Sequence, residues 1–334
     1  PNVFKKKSSL AIVNHINNRF PVSKQIKVKD TLKFLTKCSS IFRNNQKTKI
    51  IAITGSCGKT SLKEMLGLIL KKISKTSFSP KSFNNKYGVP LSLFNLKEDD
   101  QFGVLEVGMD KKGEIDTLTK TIKPDIAVIT NISHAHSKNF KNIKGIAEAK
   151  GEIVSNIKSN GSLILNADDN FFDYHRNIAI KKKIKVFSFS INKNLSFTKL
   201  MKVKKNKKGF KLLIRVGKEF FSFNSKSSNK SYIYNLLATL TSCSLLKNLK
   251  KLDNNIFMNF KTPKGRGDIS KIRINNKNIF LVDETYNSNP LSLKIAIENY
   301  DKINANKSKK YLILGDMLEL GKHSKSQHIL ASKN

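Results

Sequence analysis

The sequence predicts an α/β fold with a mostly parallel central sheet, a small antiparallel section and a second α/β unit at its end. Two observations predict the central sheet. From residue 49 onward, short apolar runs rich in β-branched residues alternate with helical patterns, as in sheets whose parallel strands are joined by helices. The first of these runs passes through two glycines directly into a helical pattern.

Composition places the chain among globular proteins with real cores. It has 334 residues, enough for two or three domains, and 39% of them are hydrophobic. The net charge of +39 comes almost entirely from lysines spread along the whole chain. Because there is no arginine-rich stripe and no interleaving of basic and aromatic residues, we do not expect nucleic acid as the main partner. The charge still favours an anionic substrate that carries phosphate.

Neither a membrane span nor a secretory signal is visible in the sequence, so we expect no membrane partner. The three cysteines Cys38, Cys57 and Cys243 lie far apart. This spacing argues against a disulfide framework and predicts a reducing, cytoplasmic location. The chain begins at Pro1 and ends within a helical pattern, so we expect a fragment of a longer protein.

A phosphate-binding loop is predicted where the first apolar strand ends. The segment Thr54-Gly-Ser-Cys-Gly-Lys-Thr60 has the pattern G-x-x-G-K-T, although Ile53 stands where the full Walker A spacing has a glycine. Backbone N–H groups and the helix dipole favour an anion here, Lys59 adds a charge for the β/γ-phosphates, and the Thr60 hydroxyl can hold Mg²⁺. An ordinary turn is the alternative. The predicted nucleotide-binding residues are Gly55, Ser56, Cys57, Gly58, Lys59, Thr60 and Ser61.

We divide the chain into three parts. Residues 1–48 are interpreted as the tail of a truncated N-terminal domain plus a linker, with a helix over 9–19, an extended piece over 25–28 and a helix over 30–42. Residues 49–262 form the central, P-loop-type domain. Within it, the alternating runs over 184–223 are typical of antiparallel hairpins. Residues 263–334 form the beginning of a Rossmann-like α/β domain, with strands over 279–283 and 311–315 and helices from Pro290 and near Ser324.

Polar residues follow the predicted parallel strands at their carboxyl ends. They are Glu106, Asn131, His136 and Asn166. Ligands of open α/β sheets bind beyond these ends, so the four side chains should converge on the crevice that the glycine loop also lines. Glu106 stands where a magnesium-holding carboxylate belongs, although a solvated strand-end glutamate is the alternative.

The residues alone do not decide the roles of the other candidates. His134 and His136 lie in one loop, and each could be structural or a ligand. Lys150 would by default be a surface lysine on a helix. Arg266 lies between two glycines and can reach a phosphate, and Asp283 ends a strand where it could accept a ribose hydroxyl.

The motifs together resemble those of the Mur ligase family, in the same order and over nearly the whole chain. Besides the glycine loop they are Asn84-Asn-Lys-Tyr-Gly-Val-Pro-Leu91, Glu106-Val-Gly108, Thr130-Asn-Ile132, Ala135-His136, Ala149-Lys-Gly-Glu-Ile153, Gly265-Arg266, Asp283-Glu-Thr-Tyr-Asn-Ser-Asn-Pro290 and Gly315-Asp-Met-Leu-Glu-Leu-Gly321. The last two favour the member that adds D-alanyl-D-alanine to UDP-N-acetylmuramoyl-tripeptide in peptidoglycan precursor synthesis.

This resemblance implies an ATP- and Mg²⁺-dependent ligase, expected to be a monomer, that forms an acyl phosphate and releases ADP and phosphate. It implies that Lys59, Glu106, His136 and Lys150 are catalytic. Thr60, Glu106, His136 and a carbamylated Lys150 would hold metal. The implied nucleotide contacts outside the loop are Arg266, Asp283, Asn287 and Asn289, and the implied contacts to the UDP-sugar peptide are Asn84 and Asn85.

Two positions depart from the family pattern. Ser231 stands where the family usually has a histidine, and Glu284 replaces a more usual aspartate. Two other functions stay open at this point. One is a P-loop NTPase that acts on nucleic acid, and the other is a related ligase that adds a different amino acid or glutamate. Whether the chain as given is active also stays open.

Overall fold

The computed structural model describes residues 8–135, 137–303 and 309–332. At its N-terminal end, β1 (Ala11–Val13) pairs in parallel with β2 (Gln25–Lys27). The helix predicted over 9–19 is therefore wrong, because the apolar residues of this short stretch pair with a second strand. The next helix, α1 (Thr31–Asn44), is confirmed, and the Asp30 side chain accepts hydrogen bonds from the N–H groups of Leu32 and Lys33 as a helix N-cap.

One mixed sheet organises the central part of the chain. Its strands are β3 (Lys49–Thr54), β4 (Thr76–Phe78), β5 (Phe102–Glu106), β6 (Ile126–Ile129), β7 (Ser162–Asn166), β8 (Lys185–Ser190), β9 (Thr198–Asn206), β10 (Gly209–Val216) and β11 (Glu219–Ser225). In space the order is β11-β10-β9-β8-β7-β6-β3-β5-β4. The pairs from β4 to β9 are parallel, and β9, β10 and β11 are antiparallel.

Helices cover both faces of this sheet, as the alternation predicted. They are α2 (Lys59–Ile73), α3 (Gly88–Phe94), α4 (Glu114–Ile122), α5 (Ile143–Gly151), α6 (Phe172–Lys181) and α7 (Lys230–Ser244). Along β3, Ile51 and Ile53 face the core beneath α2 and α7. Ile50 and Ala52 face the opposite core beneath α3, α4 and α5. Because the strand is buried on both faces, its sequence is continuously apolar.

The antiparallel section differs in detail from the prediction. β8 belongs to the parallel sheet, since it pairs in parallel with both β7 and β9. β9 was not predicted as a strand, because six of its nine positions, from residue 201 to 206, are exposed and three of those six are lysines. After α5 ends at Gly151, the chain continues as the 3₁₀ helix Glu152–Asn156.

The C-terminal part contains a hairpin of β12 (Asp268–Ile274) and β13 (Lys277–Asp283), then α8 (Pro290–Asp301) and α9 (Ser324–Ala331). The strand predicted over 311–315 is wrong, since these residues form no ladder and Ile313 is 93% exposed. An apolar segment becomes a strand only when another strand supplies hydrogen-bond partners. Within the described ranges, no helix is long and apolar enough to cross a bilayer.

Candidate functional site

The glycine loop has a backbone that only glycine accommodates well. Gly55 has φ of +142°, and a Cβ placed there would lie 1.9 Å from Thr130 Oγ1. Gly58 has φ of +82° and immediately precedes α2. The loop therefore passes tightly beside β6 before the helix begins, which leaves the first N–H groups of α2 at the mouth of the crevice.

The end of β6 braces this loop. Ser56 N donates to Asn131 O at 2.9 Å, and Cys57 N donates to Asn131 Oδ1 at 3.0 Å. Thr130 Oγ1 donates to Cys57 O at 2.6 Å. Asn131, which the sequence placed just beyond a strand end, thus lies against the loop and helps to preorganise it.

Thr60 and Glu106 meet at the carboxyl ends of the strands. Thr60 Oγ1 donates to Glu106 Oε2 at 2.8 Å, and Asn84 Nδ2 donates to Glu106 Oε1 at 2.7 Å. Glu106 is only 1% exposed. A buried carboxylate is stable only when hydrogen bonds or cations compensate its charge, and here both oxygens have donors.

Two buried lysines lie near the same place. Lys59 Nζ donates to Gly55 O at 2.7 Å, so its ammonium lies over the loop. Burial lowers the pKa of Lys59, and the neighbouring Glu106 carboxylate partly offsets this. Lys150 on α5 is 1% exposed, and within the part of the chain that the structure describes its side-chain amine has no hydrogen bond or ion pair.

The charge state of Lys150 follows from that environment. Burial lowers its pKa well below the usual lysine value, and the nearby charge of Lys59 lowers it further. Two cations that share a desolvated space repel each other, so the neutral amine of Lys150 is favoured. Lys150 is therefore a member of the site, not a solvated lysine on the helix surface.

Residues of the C-terminal part approach the loop from the other side. The Tyr286 hydroxyl donates to Ser82 Oγ at 2.8 Å, and the guanidinium of Arg266 lies 4.0 Å from the centre of the Tyr286 ring. Asn289 Nδ2 lies 3.1 Å from Cys57 Sγ. Asn289 also forms a capping box with Ser292 at the start of α8, so its amide joins this helix to the glycine loop.

Several predicted residues have other contacts. Asn85 Oδ1 accepts hydrogen bonds from the N–H groups of Tyr87 and Gly88 at the start of α3. Asp283 Oδ1 accepts from Thr285, and Asn287 is exposed. Ser61 is half-buried on α2. The functional roles of these four residues stay predictions.

The remaining candidates from the sequence are the two loop histidines and Asn166. His136 lies outside the described residues. The His134 ring packs against the ring of His323, with 5.7 Å between their centres. Asn166 Oδ1 accepts from Asp168 N, which closes the turn after β7.

Magnesium fits the chemistry of the Thr60–Glu106 pair. In the described part of the chain no group of three or more His, Cys, Asp or Glu residues could hold a metal ion. Mg²⁺ is usually held by one or two carboxylates together with substrate phosphates and water. A buried carboxylate beside a P-loop threonine provides such ligands.

The structure also identifies neighbours that sequence reasoning did not single out. Ser79 Oγ accepts from Glu106 N, and Asn235 on α7 lies against Gly58. Lys63, on the P-loop helix α2, is fully buried. Only Lys63 carried a signal of its own, because it falls among the apolar positions of α2, where a charged residue requires an explanation.

Fold and site together define a P-loop nucleotide-binding protein with a carboxylate and two lysines at the loop. A family model described as the Mur ligase middle domain matches residues 53–243. The chain belongs to the Mur ligase family. This confirms the family resemblance and the predicted fold class. The boundaries at 48/49 and 262/263 stay predictions.

Individual relatives agree with this membership. The chain is 34% identical over 97% of its length to UDP-N-acetylmuramoyl-tripeptide–D-alanyl-D-alanine ligase of Buchnera aphidicola, of which it covers 69%. Among solved structures, MurF from Acinetobacter baumannii superposes with a TM-score of 0.85 at 28% identity, over 96% of this chain and 68% of that chain. MurF from Thermotoga maritima, solved in complex with ADP, shares the fold with a TM-score of 0.83 at 24% identity. The match covers 99% of this chain and 75% of that chain.

The match covers only part of each relative. For the first curated relatives, the chain spans 64% to 69% of their length, about two thirds. The activity of the whole protein therefore stays a proposal.

Proposed function

We propose that the complete protein joins D-alanyl-D-alanine to UDP-N-acetylmuramoyl-tripeptide in an ATP-dependent reaction of peptidoglycan precursor synthesis. The observation that carries this is the meeting of Lys59, Thr60, Glu106 and Lys150 at one end of the sheet, with Thr60 Oγ1 2.8 Å from Glu106 Oε2. The relatives named for this activity match nearly the whole chain, which favours this substrate pair over those of the other family members.

The reaction has two steps. The terminal carboxylate of the tripeptide attacks the γ-phosphate of ATP, so that an acyl phosphate forms and ADP leaves. The amine of D-alanyl-D-alanine then attacks the acyl carbon, and phosphate leaves with the bonding electrons of the C–O bond. Both steps bring anions together, so the protein must supply positive charge and correct alignment.

The chain's own residues can supply both. The N–H groups of the glycine loop and the Lys59 ammonium would bind the β- and γ-phosphates. Thr60 and Glu106 would hold Mg²⁺, with His136 as a further ligand from the loop that follows β6. When bound, the metal would neutralise charge that develops on the phosphates. Arg266 would bind phosphate from the C-terminal part, while Asp283, Asn287 and Asn289 would contact the nucleotide.

Lys150 has the surroundings that a lysine carbamate requires. Only a neutral amine attacks CO₂, and burial beside Lys59 lowers the pKa of Lys150. The product, a carbamate with loss of one proton, is an anion that can ligate Mg²⁺ and is attracted to Lys59. We propose this modification because it would give a favourable charge to a buried lysine that has no side-chain partner among the described residues.

Some features are proposed on less direct grounds. Asn84 and Asn85 would line the path to the UDP-sugar peptide, although Asn84 also holds Glu106. A cytoplasmic location is expected on the basis of three dispersed free cysteines. A monomer is what the family resemblance implies.

The test is phosphate release by the full-length protein. Release should require both UDP-N-acetylmuramoyl-tripeptide and D-alanyl-D-alanine, and Lys59→Ala should abolish it. Lys72→Ala, which removes an exposed lysine from the far end of the same helix, is the matched control and should retain activity. ATP hydrolysis indifferent to the two substrates, or stimulated by DNA or RNA with a steep salt dependence, would reject the proposal in favour of a nucleic-acid NTPase.

A further inference from the structure

Lys63 is a fully buried lysine that the proposed reaction does not use. It lies one turn after Thr60 on α2, and its side chain has no exposed surface. Lysines are almost never fully buried without partners, because removing an ammonium from water is costly. The partners of Lys63 therefore indicate its role.

Those partners lie mainly in the backbone of one loop. Lys63 Nζ donates to Ser79 O at 2.7 Å and to Lys81 O. It also lies 2.7 Å from Glu64 Oε1, which compensates its charge. An ammonium has three donors, and here two of them hold the segment between β4 and α3.

This segment, residues 79–84, has a backbone that needs such support. Lys81 has φ of +47°, a left-handed conformation that residues with a side chain rarely adopt. Lys63 donates to the carbonyl group of this same residue. The buried ammonium therefore stabilises the loop at the point where its backbone is least favourable.

The same loop orients the Thr60–Glu106 pair. Ser79 Oγ accepts from Glu106 N at 3.1 Å, and Asn84 Nδ2 donates to Glu106 Oε1 at 2.7 Å. Ser82 Oγ lies 3.4 Å from Thr60 Oγ1. The position of Glu106 between the loop and the P-loop helix thus depends on the path of residues 79–84.

We infer that Lys63 is a positioning residue, which holds the 79–84 loop so that Glu106 and Thr60 face a metal-bound nucleotide correctly. The inference rests on the proposed function, because it assigns Thr60 and Glu106 to Mg²⁺. Outer partners that orient metal ligands commonly affect metal affinity about 10–100-fold. Loss of the Lys63 ammonium should therefore weaken the metal-dependent part of nucleotide binding.

The experiment compares Lys63→Met with Lys72→Met in the full-length protein. Lys72 is an exposed lysine on the same helix, so its variant is a matched control. Binding of a fluorescent ADP analogue is measured with Mg²⁺ and with EDTA. We expect Lys63→Met to lower the affinity at least about tenfold with Mg²⁺ and less than about twofold with EDTA. Lys72→Met should change neither, and Lys63→Arg should recover part of the loss.

Hydrogen exchange of the nucleotide-free protein gives an independent readout. The amides of Ser79 and Phe83 are hydrogen-bonded within and beneath the loop. They should exchange faster in Lys63→Met than in Lys72→Met, while the amides of β5 stay protected. If Lys63→Met does not fold, Lys63→Gln, which keeps a donor but no charge, replaces it in both measurements.

The outcomes separate the two proposals. Equal losses of affinity with Mg²⁺ and with EDTA, or unchanged exchange of the loop amides, would overturn the role of Lys63. A wild-type protein that binds no ADP under either condition would overturn the proposed function. In that case the exchange of the loop amides still decides whether Lys63 holds the loop.

Discussion

Lys59 and Lys150 lie close together at the glycine loop, yet they have different partners. Lys59 is compensated by the loop carbonyl of Gly55 and by the charge of Glu106. Lys150 has no such partner among the described residues, and its pKa lies well below the usual value because of burial and the charge of Lys59. At the scale of single residues, the two lysines thus differ in the groups that compensate their charge.

The first prediction concerns the stability of the Lys150→Met variant. A lowered pKa in the folded state means that the unfolded state binds more protons between that pKa and the usual lysine value of 10.5. The free energy of unfolding therefore rises with pH in this window. Below the window, the full cost of burying Lys150 is present. At pH 7 we expect Lys150→Met to raise the free energy of unfolding by about 1–3 kcal/mol.

Urea unfolding in CO₂-free buffer from pH 7 to pH 10 checks this. The difference between the variant and the wild type should narrow as the pH rises, while ligase activity of the variant is lost at every pH. Lys144→Met, an exposed position on the same helix, is the control and should leave stability unchanged. A Lys150→Met variant that is less stable than the wild type at pH 7 would contradict the assignment of a neutral, buried amine.

At the scale of elements, α8 is joined to the glycine loop by the residue that caps it. Asn289 is 8% exposed, accepts from Ser292 N as the N-cap of α8, and contacts Cys57 Sγ. Asn289 thus joins the start of the helix to the glycine loop. Asn287, two positions earlier, is exposed.

Two substitutions separate the contributions of Asn289. Asn289→Ala removes the cap and should lower the free energy of unfolding by about 1 kcal/mol. Asn289→Asp keeps a capping oxygen but places a negative charge beside the glycine loop, so it should preserve stability and weaken ADP binding. Thermal unfolding and titration with ADP measure the two effects, with Asn287→Ala as a control for stability. If Asn289→Asp binds ADP as the wild type does, its side chain does not face the phosphates.

Elements were predictable where local pattern and tertiary environment agree. β3 and the helix after the glycine loop, α2, lie where the sequence predicted them, because a strand buried on both faces is continuously apolar and the glycine loop sets where the helix begins. β9 was missed because its exposed half is rich in lysine, and its pairing with β10 defines it as a strand. The segment 311–315 has a strand-like composition, yet it forms no ladder in the described chain.

At the scale of the whole molecule, the net charge of +39 should affect the rate at which ligands reach the protein more than the geometry in which they bind. Scattered surface lysines create a positive potential that attracts phosphate-bearing ligands and is screened over about 10 Å at 0.1 M salt. Raising NaCl from about 50 to about 500 mM should therefore slow association of a fluorescent ADP analogue several-fold. The dissociation rate should change much less.

Stopped-flow fluorescence measures both rates. A fluorescent adenosine analogue without phosphates is the matched ligand, and its association should depend little on salt. If the salt effect falls mainly on dissociation, the bound phosphates and the charges that contact them are responsible, and the lysine excess does not steer the ligand.

Local sequence patterns were sufficient to predict the alternating α/β architecture, the glycine loop with Lys59 and Thr60, and the position of Glu106 at a strand end. These follow from patterns that span a few residues, since hydrophobic period, glycine spacing and strand ends are local properties. The contacts of the folded chain were needed to show that Lys150 is buried beside Lys59, that Lys63 holds the 79–84 loop, and that Asn289 reaches Cys57. Burial and partnership depend on residues far apart in the chain, so the sequence alone does not show what a lysine side chain contacts.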